Sequence, residues 1–147
     1  MRAVLTRVSE ASVEVGGKVI GRIGQGFLVL LGVSVTDTEA EALKIADRIC
    51  KIRIFEDESG KMNLAPDKVG AEMLIISQFT LYADCSSRRP GFTGAAGAEL
   101  ARKLYERCAE ACRGAGFRVE CGEFGAEMKV ASVNEGPVTI ILDTDNL

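Results

Sequence analysis

The chain has 147 residues, of which 47% are hydrophobic and 27% are charged, the balance of an ordinary globular domain. Its net charge of −3 excludes a protein that grips long stretches of nucleic acid through a general basic field. The chain has no histidine, which excludes Ser-His and Cys-His catalytic pairs, His-ligated metals and the commonest general base near neutral pH. Any chemistry must therefore use other side chains, backbone amides or groups of the substrate.

The five cysteines are odd in number and contain no CxxC pair. This usage favours free thiols in a reducing compartment over a disulfide framework or a zinc site. The longest apolar run, residues 27–31, is far shorter than a membrane span. No leader-like segment precedes the first strand pattern. We therefore expect a soluble, cytoplasmic domain with no metal, no cofactor and no membrane contact.

The first part of the chain predicts strands. Apolar and polar residues alternate over 3–8 and 11–15, which is typical of half-buried strands. Gly16-Gly17 is a hairpin signal, and residues 18–23 return as the partner strand. The apolar segment 27–35 predicts a strand that is covered on both faces.

Two helices and six further strand segments are predicted in the rest of the chain. Asp37 or Thr38 can cap a helix that ends near Lys51, and a second helix covers about 95–113. The predicted strands are 52–56 paired with 61–64, then 73–79, 117–121, and 127–133 and 138–143 separated by a turn at 134–137. The fold class is therefore α/β: one domain over residues 1–147, with mixed, hairpin-rich sheets of about eight strands and two helices on one face. The uncovered sheet face needs another layer or a second subunit.

Several polar side chains follow the predicted strand 73–79, in the segment Ser77-Gln78-Phe79-Thr80 and onward to Asp84. Loops beyond strand carboxyl ends are common positions for binding sites in α/β sheets. The segment fits a substrate pocket or a hydroxyl nucleophile, and it equally fits a strand end whose polar groups satisfy a turn. Thr80 has no base beside it, so the activation of a nucleophile is not visible.

Three other segments also have two interpretations. Arg88 and Arg89 beside Phe92 form either a phosphate contact or a solvated loop. Pro137 indicates a turn or a strand edge because it donates no ladder hydrogen bond. Phe124 and Met128 are core residues or pocket walls.

Taken together, these segments resemble the D-aminoacyl-tRNA deacylases over essentially the whole chain. The matching motifs, in the family's order, are Met1-Arg2-Ala3-Val4, Arg7-Val8, residues 27–33, 53–57, 60–64 and 77–84, Arg89-Pro90, Phe124-Gly125-Ala126 and Asn134-x-Gly136-Pro137-Val138-Thr139. The combination of Ser77-Gln78 with Gly136-Pro137 is specific, whereas either motif alone is weak.

The resemblance implies a homodimeric esterase that releases D-amino acids, and mischarged glycine, from the 3′ end of tRNA. It implies that Ser77, Gln78, Phe79 and Thr80 form the catalytic pocket and oxyanion site, with Thr80 in a positioning role. It also implies that Gly136-Pro137, as a Gly-cisPro motif, enters the partner's pocket and excludes L side chains. The terminal adenosine's 2′-hydroxyl is implied to take part in the chemistry.

Three further substrate contacts follow from the same resemblance. Phe124 and Met128 are implied to line the pocket or contact the adenine, and Arg7 to anchor the Gly136-Pro137 loop. Because only the 3′ end of the tRNA would be gripped, we predict few phosphate contacts and a shallow salt dependence.

Three other functions remain open on the sequence. A protein that binds the tRNA end without hydrolysis would explain why no nucleophile–base pair is visible. A small-molecule enzyme with Cys85 as nucleophile would lose activity in Cys85→Ala. A purely structural dimer would show no saturable interaction with tRNA.

Overall fold

Eight strands and two helices make up the chain, whose residues 1–147 are all described by a computed structural model. The strands are β1 Arg2–Val15, β2 Lys18–Ile23, β3 Gly26–Gly32, β4 Phe55–Glu56, β5 Met62–Leu64, β6 Glu72–Ser77, β7 Val119–Cys121 and β8 Lys129–Asp143. The helices are α1 Glu39–Lys51 and α2 Ala98–Gly114, and three 3-10 turns cover Pro66–Val69, Phe79–Tyr82 and Thr144–Asn146. The predicted α/β class, with eight strands and two helices, is confirmed.

Strand β1 is the centre of the main sheet. On one edge its first half pairs with β3 and its second half with β2, while β8 pairs along its other edge. The sheet continues from β3 through the parallel strands β6 and β7. It curls until β2 meets β7: a side chain at Gly21 would lie 3.2 Å from the Cys121 carbonyl. The sheet is therefore nearly closed, and β8 keeps one unpaired edge.

Both helices pack on one face of this sheet. Helix α1 begins at a capping box, in which the Thr38 hydroxyl accepts from the Ala40 amide (3.2 Å) and the Glu41 carboxylate accepts from the Thr38 amide (2.7 Å). Buried residues of the two helices, such as Ile45 and Leu104, join those of β1, β3 and β6 in one large core cluster. A smaller cluster fills the concave face, and its members are Val8, Ala11, Val13, Ile23, Leu28, Leu74 and Ile76.

The structure joins two pairs of predicted strands and shortens others: the strand expected at 27–35 ends at Gly32, and the strand expected at 52–56 begins at Phe55. The strands expected at 3–8 and 11–15 are one strand, β1. The turn expected at 134–137 is wrong, because 127–133 and 138–143 belong to a single strand, β8, whose two halves pair with the same β1. Thr139 pairs with Thr6 and Asn134 with Val8, so residues 135–138 form an insertion opposite the single residue Arg7. Proline is tolerated there because an inserted residue donates no ladder hydrogen bond.

All five cysteines are free thiols. Hydrogen bonding between Cys50 and Cys112, together with burial, raises the pKa of the Cys50 thiol. These core thiols therefore stay protonated and behave as small apolar side chains. Neither helix is long and apolar enough to cross a bilayer.

Candidate functional site

A cavity of about 510 Å³ opens beside the carboxyl end of β6. Five of the predicted site residues line it, namely Ser77, Gln78, Phe79, Phe124 and Met128. Ser77 and Gln78 reach it because parallel strand β6 ends there, held by the Gln78 amide donating to the Leu31 carbonyl at 2.8 Å. The resemblance therefore names side chains that the fold brings together from two distant segments.

The other lining residues are small or aliphatic, and apart from Val33, Gly125 and Ala126, which belong to the matching motifs, they were not singled out from the sequence. Ala96, Ala98 and Ala101, at and just before the first turn of α2, form one wall, and Val33 and Val130 complete it. A wall of alanines has no chemical motif, so the only signal for it was the glycine- and alanine-rich start of the predicted helix.

No lining residue of this cavity carries an ionisable side chain. The buried hydroxyl of Tyr105, outside the lining, donates to the Ile75 carbonyl at 2.7 Å, and burial raises its pKa. Tyr105 therefore stays neutral, and its hydrogen bond stabilises the position of β6. No group of three or more His, Cys, Asp or Glu side chains is arranged to hold a metal ion.

The 3-10 turn Phe79–Tyr82 presents free backbone amides next to the cavity. Its first hydrogen bond runs from the Leu81 amide to the Gln78 carbonyl at 3.3 Å. The amides of Phe79 and Thr80 precede that bond and have no partner within the turn. Two adjacent N–H donors at the edge of an apolar cavity are suited to an oxygen that acquires negative charge.

Thr80 itself does not line the cavity. Its hydroxyl accepts a hydrogen bond from the Gln78 side-chain amide at 2.5 Å, and its side chain is exposed. With no base in contact, this hydroxyl orients Gln78 and lacks the activation that a nucleophile needs.

The turn is braced from two sides. A side chain at Gly32 would meet the Gln78 carbonyl and the Leu81 Cβ, each at 3.0 Å, so only glycine lets β3 approach this closely. The Arg2 guanidinium donates to the Leu81 carbonyl (3.2 Å) and to Asp143 (2.8 Å), and it lies 4.6 Å from the centre of the Tyr82 ring. The position of the free amides therefore depends on residues outside the predicted motif.

Phe124 forms the opposite side of the cavity. Its ring centre lies 6.0 Å from that of Tyr105, and the guanidinium of Arg102 lies 5.1 Å above it. Met128 also lines the cavity and packs against the smaller core cluster. A flat nucleobase could stack on the Phe124 ring and pack against the flexible Met128 thioether.

Gly136 and Pro137 lie away from this cavity. Both are exposed, in the insertion of β8, and the peptide bond between them is cis. Arg7 is 5% exposed and holds the insertion: its Nε donates to the Glu135 carbonyl (3.1 Å), and its Nη1 donates to the Ile54 carbonyl (2.8 Å). Within one chain the structure thus brings Arg7 to the insertion but brings neither Gly136 nor Pro137 to the pocket.

A second depression, of about 720 Å³, runs along the exposed side of α2. It is shallow and mostly charged, and its central Arg107 is paired with Glu39 (2.7 Å) and Glu110 (3.5 Å). Because its charges largely neutralise each other, we place the functional site in the smaller apolar cavity.

A family model described as D-Tyr-tRNA(Tyr) deacylase matches residues 4–143. The chain belongs to this deacylase family. A D-aminoacyl-tRNA deacylase of Desulfatibacillum aliphaticivorans is 54% identical over 98% of this chain and 99% of its own length. A D-aminoacyl-tRNA deacylase of Thermosipho africanus (strain TCF52B) is 50% identical over 98% of this chain and 97% of its own length.

Solved structures agree with the deacylase fold. One described as c-Myc DNA Unwinding Element Binding Protein superposes with a TM-score of 0.92 at 41% identity, over 97% of this chain and 98% of its own. A probable eukaryotic D-amino acid tRNA deacylase superposes with a TM-score of 0.84 at 18% identity, over 96% of this chain and 97% of its own. At that identity the second likeness speaks for the fold alone.

Proposed function

We propose that the protein hydrolyses the ester bond that joins a D-amino acid, or glycine, to the 3′ end of tRNA, and that it rejects L-aminoacyl-tRNA. As a member of the deacylase family, the chain is a hydrolase that acts on ester bonds. The observation that carries the finer proposal is a cavity without ionisable side chains beside two free backbone amides. Such a site positions an ester and stabilises charge, and it leaves proton transfer to the substrate.

In this proposal the amides of Phe79 and Thr80 donate to the ester's carbonyl oxygen. Water adds to the carbonyl carbon, the oxygen gains negative charge, and the bond to the ribose oxygen then breaks. The proton lost by the water is gained by the leaving ribose oxygen, and the neighbouring 2′-hydroxyl is the group that can relay it. The absence of histidine from the whole chain supports this assignment of the proton transfer.

The terminal adenine is proposed to lie against Phe124 and Met128. They line the same cavity as Phe79, whose amide is one of the two proposed donors, and Arg102 and Tyr105 contact the Phe124 ring. This arrangement recognises the adenosine end of the substrate and leaves the amino-acid side chain free to point outward, which suits a range of D-residues.

Gly136 and Pro137 are proposed to complete the pocket of a second copy of the chain. Their exposure and their distance from the cavity of their own chain support insertion into a partner. The outer edge of β8 is unpaired, and apolar side chains such as Val133 (52% exposed) and Ile141 (72% exposed) lie along it. An exposed apolar strand of this length is suited to a subunit interface.

A backbone wall contributed by Gly136 and Pro137 would discriminate chirality by exclusion. It would occupy the space that an L side chain needs, while a D side chain would point away from it. Glycine has no side chain to exclude, so the same wall accepts glycyl-tRNA. The compartment we propose for this reaction is the cytoplasm, where aminoacyl-tRNA is used.

The first test compares the release of D-tyrosine and L-tyrosine from the same tRNA. We expect fast release of D-tyrosine and negligible release of L-tyrosine by the wild type. Pro137→Ala should lose activity or discrimination, whereas the matched surface variant Val19→Thr, in the β1–β2 hairpin, should lose neither. If both esters survive the wild type, the protein binds the tRNA end without cleaving it.

A mixing experiment tests insertion into the partner. Pro137→Ala and Phe124→Ala are each expected to be defective as homodimers. After random exchange of subunits, about a quarter of all sites would combine an intact pocket with an intact partner loop, so activity should return. No return of activity would mean that the loop acts on its own chain.

A cysteine-dependent mechanism is the alternative enzyme class. Cys85 is exposed in the 84–91 loop and does not line the cavity. Normal turnover by Cys85→Ala is therefore expected, and loss of turnover would favour that alternative.

A further inference from the structure

Two exposed phenylalanine rings stand together at the edge of the cavity. The ring centres of Phe79 and Phe92 are 5.0 Å apart and the planes are inclined at 70°. Phe79 is 53% exposed and Phe92 is 39% exposed, although only Phe79 lines the cavity. We call these two rings the aromatic step. An exposed aromatic pair beside a binding cavity needs a partner in the bound state.

Phe92 of the aromatic step follows an ordered loop that carries positive charge. Asp84 and Gly91 exchange two backbone hydrogen bonds, at 2.8 and 2.9 Å, which close the loop just before Phe92. Arg88 and Arg89 lie exposed in this loop, and neither guanidinium pairs with a carboxylate of the chain. Two guanidinium groups without a carboxylate partner thus lie in the loop that leads directly to Phe92.

Exposed rings beside unpaired arginines are the elements that bind single-stranded nucleic acid. Rings stack on bases of any sequence, while guanidinium groups contact the backbone phosphates. The aromatic step begins at Phe79, whose amide is a proposed donor to the ester. The ribose that carries the ester would therefore lie within one residue of the step, and the nucleotide joined to that ribose is the next group within reach.

We propose that the aromatic step stacks the penultimate base of the tRNA, and that Arg88 and Arg89 contact the phosphates beside it. This inference rests on the proposed function, because it needs the terminal adenosine in the cavity. It assigns the protein a second nucleotide subsite, which would accept any base. A binding site for two nucleotides is also consistent with the negative net charge, since only two local cations are needed.

The test compares two D-tyrosyl-tRNAs, one intact and one with an abasic residue at the penultimate position. We expect Phe92→Ala to lower kcat/KM about tenfold on the intact tRNA. The abasic residue should lower the wild-type value by a similar factor, and Phe92→Ala should lose nothing further on the abasic tRNA. Phe92→Tyr, which keeps a ring, should restore most of the kcat/KM.

A salt series tests the two arginines. The double variant Arg88→Gln/Arg89→Gln should make the slope of log(kcat/KM) against log[salt] shallower by about 1.4, since a single-strand phosphate contributes about 0.7. Val35→Ala, at an exposed loop position outside the cavity, is the control and should change neither the slope nor kcat/KM.

Three results would overturn the inference. Equal losses for Phe92→Ala on the intact and abasic tRNAs would mean that Phe92 only supports Phe79. A dimer that dissociates in Phe92→Ala would assign the step to the subunit interface. A wild type that is indifferent to the abasic residue would leave no role for the subsite. By contrast, a wild type that releases D-tyrosine from neither tRNA would refute the proposed function itself.

Discussion

The proposed charge-stabilising donors can be tested singly, because the Thr80 amide makes no hydrogen bond within its turn. Incorporating the α-hydroxy-acid analogue of threonine at position 80 converts the Phe79–Thr80 peptide bond into an ester. This change removes one N–H and keeps the side chain, including its contact with Gln78. It is a smaller perturbation than any change of residue, since the backbone shape is nearly retained.

The expected loss is that of one preorganised donor out of two. Removing one such donor costs about 10²–10³ in kcat, or about 2.7–4 kcal/mol of transition-state stabilisation. The free energy of unfolding should change by less than about 0.5 kcal/mol, because no hydrogen bond of the turn is lost. Single-turnover release of D-tyrosine and urea unfolding measure the two quantities on the same sample.

The matched control is the same replacement at Ala83. The Ala83 amide donates to the Thr80 carbonyl at 3.1 Å, so an ester there costs about 1 kcal/mol of stability and leaves both proposed donors in place. The reasoning is refuted if the ester at position 80 keeps wild-type kcat. It is also refuted if Thr80→Ala loses as much as the ester, because the hydroxyl would then be the essential group.

Three further predictions concern the elements that hold the site. Arg7→Met should lower the free energy of unfolding by about 2 kcal/mol, because two carbonyls lose a charged donor, and hydrogen exchange should accelerate at residues 134–138. Gly26→Ala should lower the free energy of unfolding, measured in urea, by more than about 3 kcal/mol, since its Cβ would lie 1.8 Å from the Glu72 carbonyl oxygen. A much smaller decrease would mean that β3 and β6 can move apart. The Gly24 amide and, after it, Arg118 hold the pKa of Glu72 below its ordinary 4.5, against the opposing effect of burial. The ionised carboxylate therefore stabilises the fold above about pH 4.5 and this stabilisation is lost as pH falls further, so Glu72→Gln should flatten the acid limb of the stability curve.

Local signals in the sequence predicted the elements whose causes are local. The α1 start follows from the Thr38 capping box, and the first hairpin follows from Gly16-Gly17, both of which adopt positive φ (58° and 80°). The parallel strand β6 was recognised by its unbroken apolar run, although it ends two residues earlier than expected because the chain turns at Phe79.

The boundaries that were wrong have long-range causes. Pro137 indicates a turn when only its own geometry is considered, yet the strand resumes because β1 is long enough to pair with both halves of β8. The predicted break between the strands 3–8 and 11–15 likewise disappears in β1. Strand β3 pairs before the break, β2 pairs after it, and β8 pairs along both parts.

The site was predicted through motifs and not through its physics. Residue types alone left Ser77 and Gln78 undecided between a pocket and a strand end, and the family resemblance placed them in a pocket. The Arg2 brace and the ring pair of Phe79 and Phe92 have no local signal, because each joins segments that only tertiary packing brings together. Side-chain pattern therefore predicts the elements better than it predicts the surfaces between them.

The proposed reaction centre consists of main-chain groups, and such a centre would have a distinctive mutational profile. Because every residue type except proline supplies an N–H, substitutions along Phe79–Tyr82 would rarely delete the proposed donors, whereas a single methyl group at Gly32 would crowd the Gln78 carbonyl and the Leu81 Cβ and shift the start of the turn. A copy of this gene could lose its activity while keeping Ser77, Gln78 and Thr80 intact. Random mutagenesis with selection for lost activity should therefore recover substitutions of glycines and of residues that hold the turn more often than substitutions of polar site residues. An inactive homologue would be recognised by changes in the packing around the turn.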